Sequence, residues 1–145
     1  MLRNILVTGG NGQLGQSLKA LTKANTDYNF IFVDKEDADL TDNKAISRLF
    51  ETNSLYAVLH FAAYTAVDKA ESETSLCKAI NTDATATIAR LCETYSTKLL
   101  VISTDFVFDG SKTTPYLPSD KPNPLSVYGK TKYEGEQMAL QNCKH

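Results

Sequence analysis

The chain has 145 residues, a formal net charge of −2 and an apolar fraction of 42%, which suits one globular domain with a substantial core. Its Lys and Arg residues form no basic patch, so the composition excludes nucleic acid as the expected partner. No apolar run reaches the ~18 residues that a membrane-spanning helix needs. We therefore expect neither nucleic acid nor a membrane among the partners.

The cysteines argue against a metal site or a disulfide framework. There are three of them, an odd number, and no CxxC pair occurs. Cys77 and Cys92 have the setting of small buried side chains. Reduced thiols and the lack of a secretory leader predict a cytoplasmic protein without bound metal.

Four short apolar runs predict the strands of a sheet: residues 5–7, 30–33, 57–61 and 99–103. Nearly continuous apolar character is typical of parallel strands that are covered on both faces. Longer helical patterns separate these runs along the whole chain. The alternation predicts an α/β fold, a Rossmann-type doubly wound parallel sheet with three αβα layers.

Helical spacing marks each connection between the predicted strands. The first helix is predicted from Leu14, Leu18 and Leu21, and Asp42 is placed to cap the second. The third connection is the longest, and its predicted helical face comprises Ile80, Ala84, Ile88, Leu91 and Tyr95. A last helix is predicted from near Ser126 to about Gln141, after a loop at residues 113–124.

A glycine-rich loop follows the first strand and opens the first helix, at residues 8–15. We expect Gly9 to allow the tight exit from the strand and Gly12 to let a pyrophosphate approach the backbone. Gly15 is expected to let the helix pack close to the sheet. The amides and the positive dipole end of the helix would then bind phosphate.

Asp34 follows the second strand, where a carboxylate can accept hydrogen bonds from the adenosine ribose of a dinucleotide. The same charge would repel a 2′-phosphate. Lys35 is the next residue and can offset that repulsion. The pair therefore leaves both NADH and NADPH open as cofactors.

Tyr128 and Lys132 are spaced i and i+4, so on a helix they share one face. Reduction of a carbonyl requires a proton on oxygen as well as a hydride on carbon. A neighbouring ammonium favours the tyrosinate and so makes the phenol a better proton donor near neutral pH. Thr104, after the fourth strand, can hydrogen-bond the substrate oxygen, and the three resemble the catalytic triad of short-chain reductases.

Several longer segments cover nearly the whole chain: GQLG at 12–15, AAYTAVDKAE at 62–71, STDFVFDG at 103–110, PLSVYG at 124–129 and KYEGE at 132–136. Together they resemble the dTDP-4-dehydrorhamnose reductases of the extended short-chain dehydrogenase/reductase family. The resemblance implies reduction of the 4-keto group of dTDP-4-dehydro-L-rhamnose to dTDP-L-rhamnose by NADPH or NADH.

The resemblance also implies roles for individual residues. The cofactor would be bound by the loop residues Gly9, Gly12, Gln13, Leu14 and Gly15, by Asp34, Lys35, Asp39 and Leu40 near the adenosine, and by Ala62, Ala63, Tyr64 and Lys132 near the nicotinamide ribose. The sugar nucleotide would contact Thr65, Val67 and Phe106. Phe106 stands where the family usually has Tyr, and His60-Phe61 stands for the usual Asn-Ala; we expect His60 to be a buried residue at the end of a strand.

Two other functions stay open. One is a nucleotide-sugar epimerase or dehydratase, although a dehydratase would need a second carboxylate after Asp105, where Phe106 stands. The other is a non-catalytic regulatory subunit on the same fold, against which the presence of Thr104, Tyr128 and Lys132 argues.

Family members are considerably longer than this chain. We therefore expect residues 1–145 to be an incomplete NAD(P)-binding domain, truncated after the Tyr–Lys helix, with the substrate domain absent. Activity would then belong to the full-length parent, and the fragment by itself would be inactive. The predicted fourth strand would lie at an open edge. We expect either self-association there, with a homodimer as one form of it, or partial disorder near residues 113–124 and the C-terminus.

Overall fold

The centre of the molecule is a four-stranded sheet, described by a computed structural model that covers residues 2–22 and 27–145. Its strands are β1 (Arg3–Thr8), β2 (Tyr28–Val33), β3 (Leu55–His60) and β4 (Lys98–Val101). Their order across the sheet is β2-β1-β3-β4, and every neighbouring pair is parallel. The predicted parallel α/β sheet is confirmed, and its carboxyl ends lie along one edge.

Helical segments connect the strands: α1 (Gln13–Thr22), α2 (Asn43–Thr52), α3 (Val67–Ala70), α4 (Thr74–Lys78), α5 (Ala84–Thr94) and α6 (Val127–Asn142). Two predicted helix starts are confirmed by their caps. The Asp42 carboxylate accepts a hydrogen bond from the Lys44 amide at 2.8 Å, and the Ser126 hydroxyl accepts one from the Gly129 amide at 3.0 Å.

The helices lie on both sides of the sheet. On one face, a core cluster joins Val33 of β2 to Ile46 of α2 and Ile88 of α5. On the other face, Lys19 of α1 lies over the ring of Phe32 at 5.2 Å. Phe32 and Val33 are neighbours on one strand and so point to opposite faces, which gives the predicted three layers.

We predicted that every strand is buried on both faces. This prediction is wrong for strands that lie away from the centre of the sheet. Leu6 and Val7 of β1 are buried, but Leu100 of β4 is 47% exposed. Leu21, predicted on the packed face of α1, is 77% exposed. Among the described residues β4 has a strand neighbour on one side only, so Leu100 has little to pack against.

Two strands end earlier than predicted. β3 stops at His60 instead of residue 61, and β4 stops at Val101 instead of residue 103. The Ile102 amide still donates to the His60 carbonyl at 3.4 Å, but the Ile102 carbonyl accepts the Lys132 ammonium at 2.6 Å. The hydrogen bond from the Lys132 side chain thus takes the place of the next hydrogen bond between the two strands.

The long third connection is segmented rather than one helix. A π-helical turn at Ala79–Asp83 separates α4 from α5. The wider turn changes the phase of the helix, so Ile80 lines a cleft while Ala84 and Ile88 enter the core. Tyr95, predicted on the same face, follows the end of α5 and is 46% exposed.

Candidate nucleotide-binding cleft

A cleft of about 770 Å³ opens at the carboxyl ends of the strands, where parallel α/β sheets bind their ligands and within the usual size of such sites. It runs from the glycine loop and the end of β2 to the first turns of α6. The predicted site residues that line it are Gly9, Gly12, Gln13, Leu14, Asp34, Lys35, Asp39, Leu40, Ala62, Ala63, Thr65, Tyr128 and Lys132.

The glycine loop lies directly against the segment that follows β3. Gly9 has a φ of +70°, and a Cβ there would come within 2.8 Å of the Ala62 amide nitrogen, so a side chain is excluded. Gly15 lies buried behind the loop, where a Cβ would overlap the Gly9 and Gly10 carbonyl oxygens. Gly15 therefore lets the start of α1 lie close to the loop.

Asp34 connects the end of β2 to the glycine loop. Its Oδ2 accepts a hydrogen bond from the Asn11 amide at 2.6 Å, and its Oδ1 accepts one from the Lys35 amide at 3.0 Å. The Lys19 ammonium donates to the Asn11 side-chain oxygen at 3.0 Å. The carboxylate therefore positions the loop.

Asp39 shapes the turn beside Asp34. Its Oδ1 accepts hydrogen bonds from the amide and the hydroxyl of Thr41, at 2.8 and 2.7 Å. These bonds, chiefly the one from the amide, hold the pKa of Asp39 below its usual value. Leu40 lines the cleft and also packs against the core.

Tyr128 and Lys132 lie on the first turns of α6 and are each only 9% exposed. The Lys132 ammonium donates to the Ile102 carbonyl at 2.6 Å. Burial lowers the pKa of Lys132, although the Glu136 carboxylate opposes that shift. The start of α6 lies close to the 3₁₀ turn at Asp105–Val107, so a Cβ at Gly129 would overlap the Phe106 carbonyl oxygen.

Thr104, the predicted third member of the catalytic triad, lies beside the cleft and does not line it. Thr104 caps a 3₁₀ turn at Asp105–Val107, and its hydroxyl oxygen accepts from the Phe106 amide at 3.3 Å. Ser103 lines the cleft instead and donates from its hydroxyl to the Glu136 carboxylate. Ser103 thus lies nearer to the space that a ligand would occupy.

Tyr64 and Val67 point away from the open cleft. Both pack in a small cluster with Ala70 and Tyr128. The Tyr64 hydroxyl donates to the Glu73 carboxylate at 2.5 Å, and that bond raises the pKa of Tyr64 to about 12. Of the segment predicted to border the nicotinamide, Ala62 and Ala63 line the cleft and Tyr64 supports it from behind.

Sequence reasoning missed several lining residues: Asn11, Ala38, Thr41, Leu76, Ile80, Ile102 and Ser103. Ile80 and Leu76 enter the cleft from the π turn and from α4. No pattern in the sequence marks the π turn, whereas Asn11 sits within the glycine loop and was signalled by its position.

Two features are absent from the part of the chain that the structure covers. No three or more His, Cys, Asp and Glu side chains in that part are grouped to bind a metal ion. Every helix there is too short or too polar to traverse a bilayer.

A family model described as the RmlD substrate binding domain matches residues 3–145. The chain belongs to that family. The dTDP-4-dehydrorhamnose reductase of Aggregatibacter actinomycetemcomitans is 35% identical to this family member over 139 residues, which cover 96% of this chain and 47% of that protein. The dTDP-4-dehydrorhamnose reductase of Bacillus anthracis, whose crystal structure is in complex with NADP, is 33% identical in sequence. The two structures match with a TM-score of 0.93 over 99% of this chain and 51% of that one.

The methionine adenosyltransferase 2 subunit beta of Danio rerio is also 35% identical to this RmlD-family chain, over 148 residues that cover 97% of it and 45% of that protein. The chain therefore spans about half the length of the curated relatives that it matches. The relatives that it matches include proteins named as reductases and one named as a subunit.

Proposed function

We propose that these residues form the NAD(P)H-binding part of a reductase that converts dTDP-4-dehydro-L-rhamnose to dTDP-L-rhamnose. The observation that carries the proposal is one continuous cleft that joins the glycine loop to Tyr128 and Lys132. The sugar nucleotide would enter next to Thr65 and complete its site with residues outside this chain. Residues 1–145 are then an incomplete NAD(P)-binding domain.

The residues present fit a dinucleotide. A Cβ at Gly12 would meet only the Gly9 carbonyl oxygen, at 3.3 Å, so the backbone there is open to a pyrophosphate from the cleft. The amides at the start of α1 favour an anion in the same place. Asp34 and Lys35 lie at the adenosine end, and Ala62 and Ala63 lie at the other.

The chemistry divides between the cofactor and two side chains of α6. The dinucleotide, when bound, supplies a hydride for the carbonyl carbon. Tyr128 donates the phenolic proton to the carbonyl oxygen, as a general acid. Lys132, held by the Ile102 carbonyl, binds the nicotinamide ribose and favours the tyrosinate that remains. Thr104 or Ser103 orients the carbonyl oxygen.

A second candidate function is a non-catalytic subunit, which the likeness to the Danio rerio subunit favours. Both candidates predict dinucleotide binding, but only the first predicts turnover. The intact Tyr128 and Lys132 in the cleft lining support the first.

Titration calorimetry of the 145-residue chain with NADPH and NADH tests the binding step. Turnover is tested with the keto-sugar nucleotide and NADPH in a chimera that joins this chain to the second half of the Bacillus anthracis reductase. We expect binding by the chain, turnover by the chimera and none by the chain alone. A chimera that binds NADPH normally and does not turn over would support the subunit, and an absence of binding by the chain would contradict both functions.

A further inference from the structure

His60 lies at the centre of a buried chain of hydrogen bonds below the cleft. It is 3% exposed, and its two partners, Thr8 and Thr85, are 1% and 3% exposed. The Nδ1 atom lies 2.7 Å from the Thr8 hydroxyl, and the Nε2 atom lies 3.2 Å from the Thr85 hydroxyl. The ring therefore bridges the end of β1 to α5.

The protons of this chain can be assigned by counting donors. The Thr85 hydroxyl donates its only proton to the Asn81 carbonyl at 2.8 Å, so it can only accept from His60. The proton of a neutral ring is therefore on Nε2, and Nδ1 accepts from the Thr8 hydroxyl. The Thr8 oxygen in turn accepts from the Ala62 amide at 3.2 Å.

The ring stays neutral in these surroundings. Among the described residues, its ring nitrogens contact two threonine hydroxyls, and the charge that acts on it is the Lys132 ammonium of α6. Burial, with a smaller contribution from Lys132, lowers the pKa of His60 to about 3. A second proton on the ring would also remove the acceptor of the Thr8 hydroxyl.

Both ends of this series of hydrogen bonds hold residues 62–64, of which Ala62 and Ala63 line the cleft. The Thr8 end binds the Ala62 amide. At the Thr85 end, the Asn81 side chain accepts from the Tyr64 amide at 2.8 Å and donates to the Tyr64 carbonyl at 3.1 Å. His60 thus connects the two supports of this segment.

We propose that His60 is a positioning residue which, as the neutral Nε2–H tautomer, holds residues 62–64 in place at the nicotinamide end of the cleft. The identity of the ligand at that end rests on the proposed function. The pattern of hydrogen bonds to Thr8 and Thr85 is independent of the proposed function.

The tautomer is tested by nitrogen-15 NMR of the labelled chain at several values between about pH 5 and pH 8, the range in which free histidine titrates. We expect one protonated Nε2 and one unprotonated Nδ1 for His60 throughout. A protonated Nδ1, or a His60 that gains a proton near its usual pKa, would overturn the proposal.

The positioning role is tested by the affinity of two probes for the Thr85→Val variant. NADP⁺ reaches the nicotinamide end, whereas 2′,5′-ADP ends before it. This variant lacks the hydroxyl that accepts from His60 and donates to the Asn81 carbonyl. NADP⁺ binding should therefore weaken about three- to tenfold, and 2′,5′-ADP binding should stay unchanged. Thr85→Ser restores the hydroxyl and should restore the affinity for NADP⁺.

Thr87→Val is the matched control, because Thr87 is also buried on α5 but bonds to Asn43, away from residues 62–64. Equal losses for both probes, no loss for either, or the same pattern in the Thr87 variant would reduce Thr85 and His60 to a structural role. If the unmodified chain binds neither probe, the proposed function fails, and the NMR result still accepts or rejects the bonding of His60.

Discussion

The ring of Phe106 lies edge-on to the ring of Tyr128, with centroids 5.5 Å apart and planes inclined by 76°. This arrangement is the favourable one for two aromatic rings. Phe106 is 45% exposed and Tyr128 is buried, so Phe106 covers part of the side chain that we propose as the proton donor. The contact involves the two rings, and Tyr128 also lines the cleft.

Tyr128→Phe should keep this ring contact and remove only the hydroxyl. In the chimera that carries the second half of a reductase, we expect kcat to fall by about 10²–10⁴, the usual contribution of a general acid. NADPH affinity should change little. The matched control is Tyr133→Phe, one turn further along α6 and outside the cleft lining. Near-normal kcat in the Tyr128 variant would assign the proton to another group.

Gly12→Val should abolish tight dinucleotide binding without unfolding the chain. The new Cβ would have the Gly9 carbonyl oxygen as its only close neighbour, at 3.3 Å, and the side chain would occupy the cleft. Gly15→Val is the contrast, because its Cβ would overlap two loop carbonyls and should lower the melting temperature. Calorimetry with NADPH and thermal melts separate the two effects. Unchanged NADPH affinity in a folded Gly12 variant would place the pyrophosphate elsewhere.

Asp34→Asn should shift cofactor preference towards NADPH. The amide oxygen can still accept from the Asn11 amide, but the charge that repels a 2′-phosphate is lost. Removing one charge pair of about 1 kcal/mol at 4 Å in water predicts a change of roughly fivefold in the ratio of NADH to NADPH affinities. Asp37→Asn alters the same turn outside the cleft lining and should leave the ratio unchanged. A shift towards NADH would show that the role of Asp34 is wrong.

The free energy of unfolding of the chain should decrease as the pH is lowered, before the carboxylates titrate. The pKa of His60 is lowered from 6.5 to about 3 in the folded state. Below pH 6.5 the unfolded chain therefore binds a proton that the folded chain does not, and the free energy of unfolding falls until about pH 3. The expected loss between pH 7 and pH 5 is about 2 kcal/mol.

Urea denaturation at each pH measures this loss, and His60→Gln provides the reference without a titrating ring at that position. The variant should be less stable at pH 7 but should lose less stability between pH 7 and pH 5. Parallel curves for the two proteins would contradict the neutral, buried state of His60.

Self-association at β4 remains a prediction. β4 is the last strand in the described sheet, and Leu100 is 47% exposed there. Part of the edge is already occupied, because the Leu99 amide donates to the His145 carbonyl at 3.3 Å. Sedimentation should show a concentration-dependent dimer that Leu100→Lys abolishes and Leu140→Lys, on exposed α6 surface, does not. A chain that stays monomeric at all concentrations would contradict the prediction of an interface at β4.

Local patterns in the sequence determined the elements and half of the cleft. The apolar runs predicted the parallel strands because a buried strand needs apolar residues on both faces. Asp42 and Ser126 marked helix starts because their side chains can accept from the amides that a helix leaves unpaired. The glycine loop, Asp34 and the Tyr128–Lys132 spacing were readable because each depends on residues close together in the chain.

The tertiary structure alone decided which of those residues meet and which side chains turn away. Tyr64 leaves the cleft because Glu73 and Asn81 bind it, and Ile80 enters because a π turn shifts the helix phase. The role of His60 depends on Thr8 and Thr85, which lie 52 and 25 residues away along the chain. Such bonds depend on how β1 and α5 are brought to β3 in the folded chain, which no local spacing encodes.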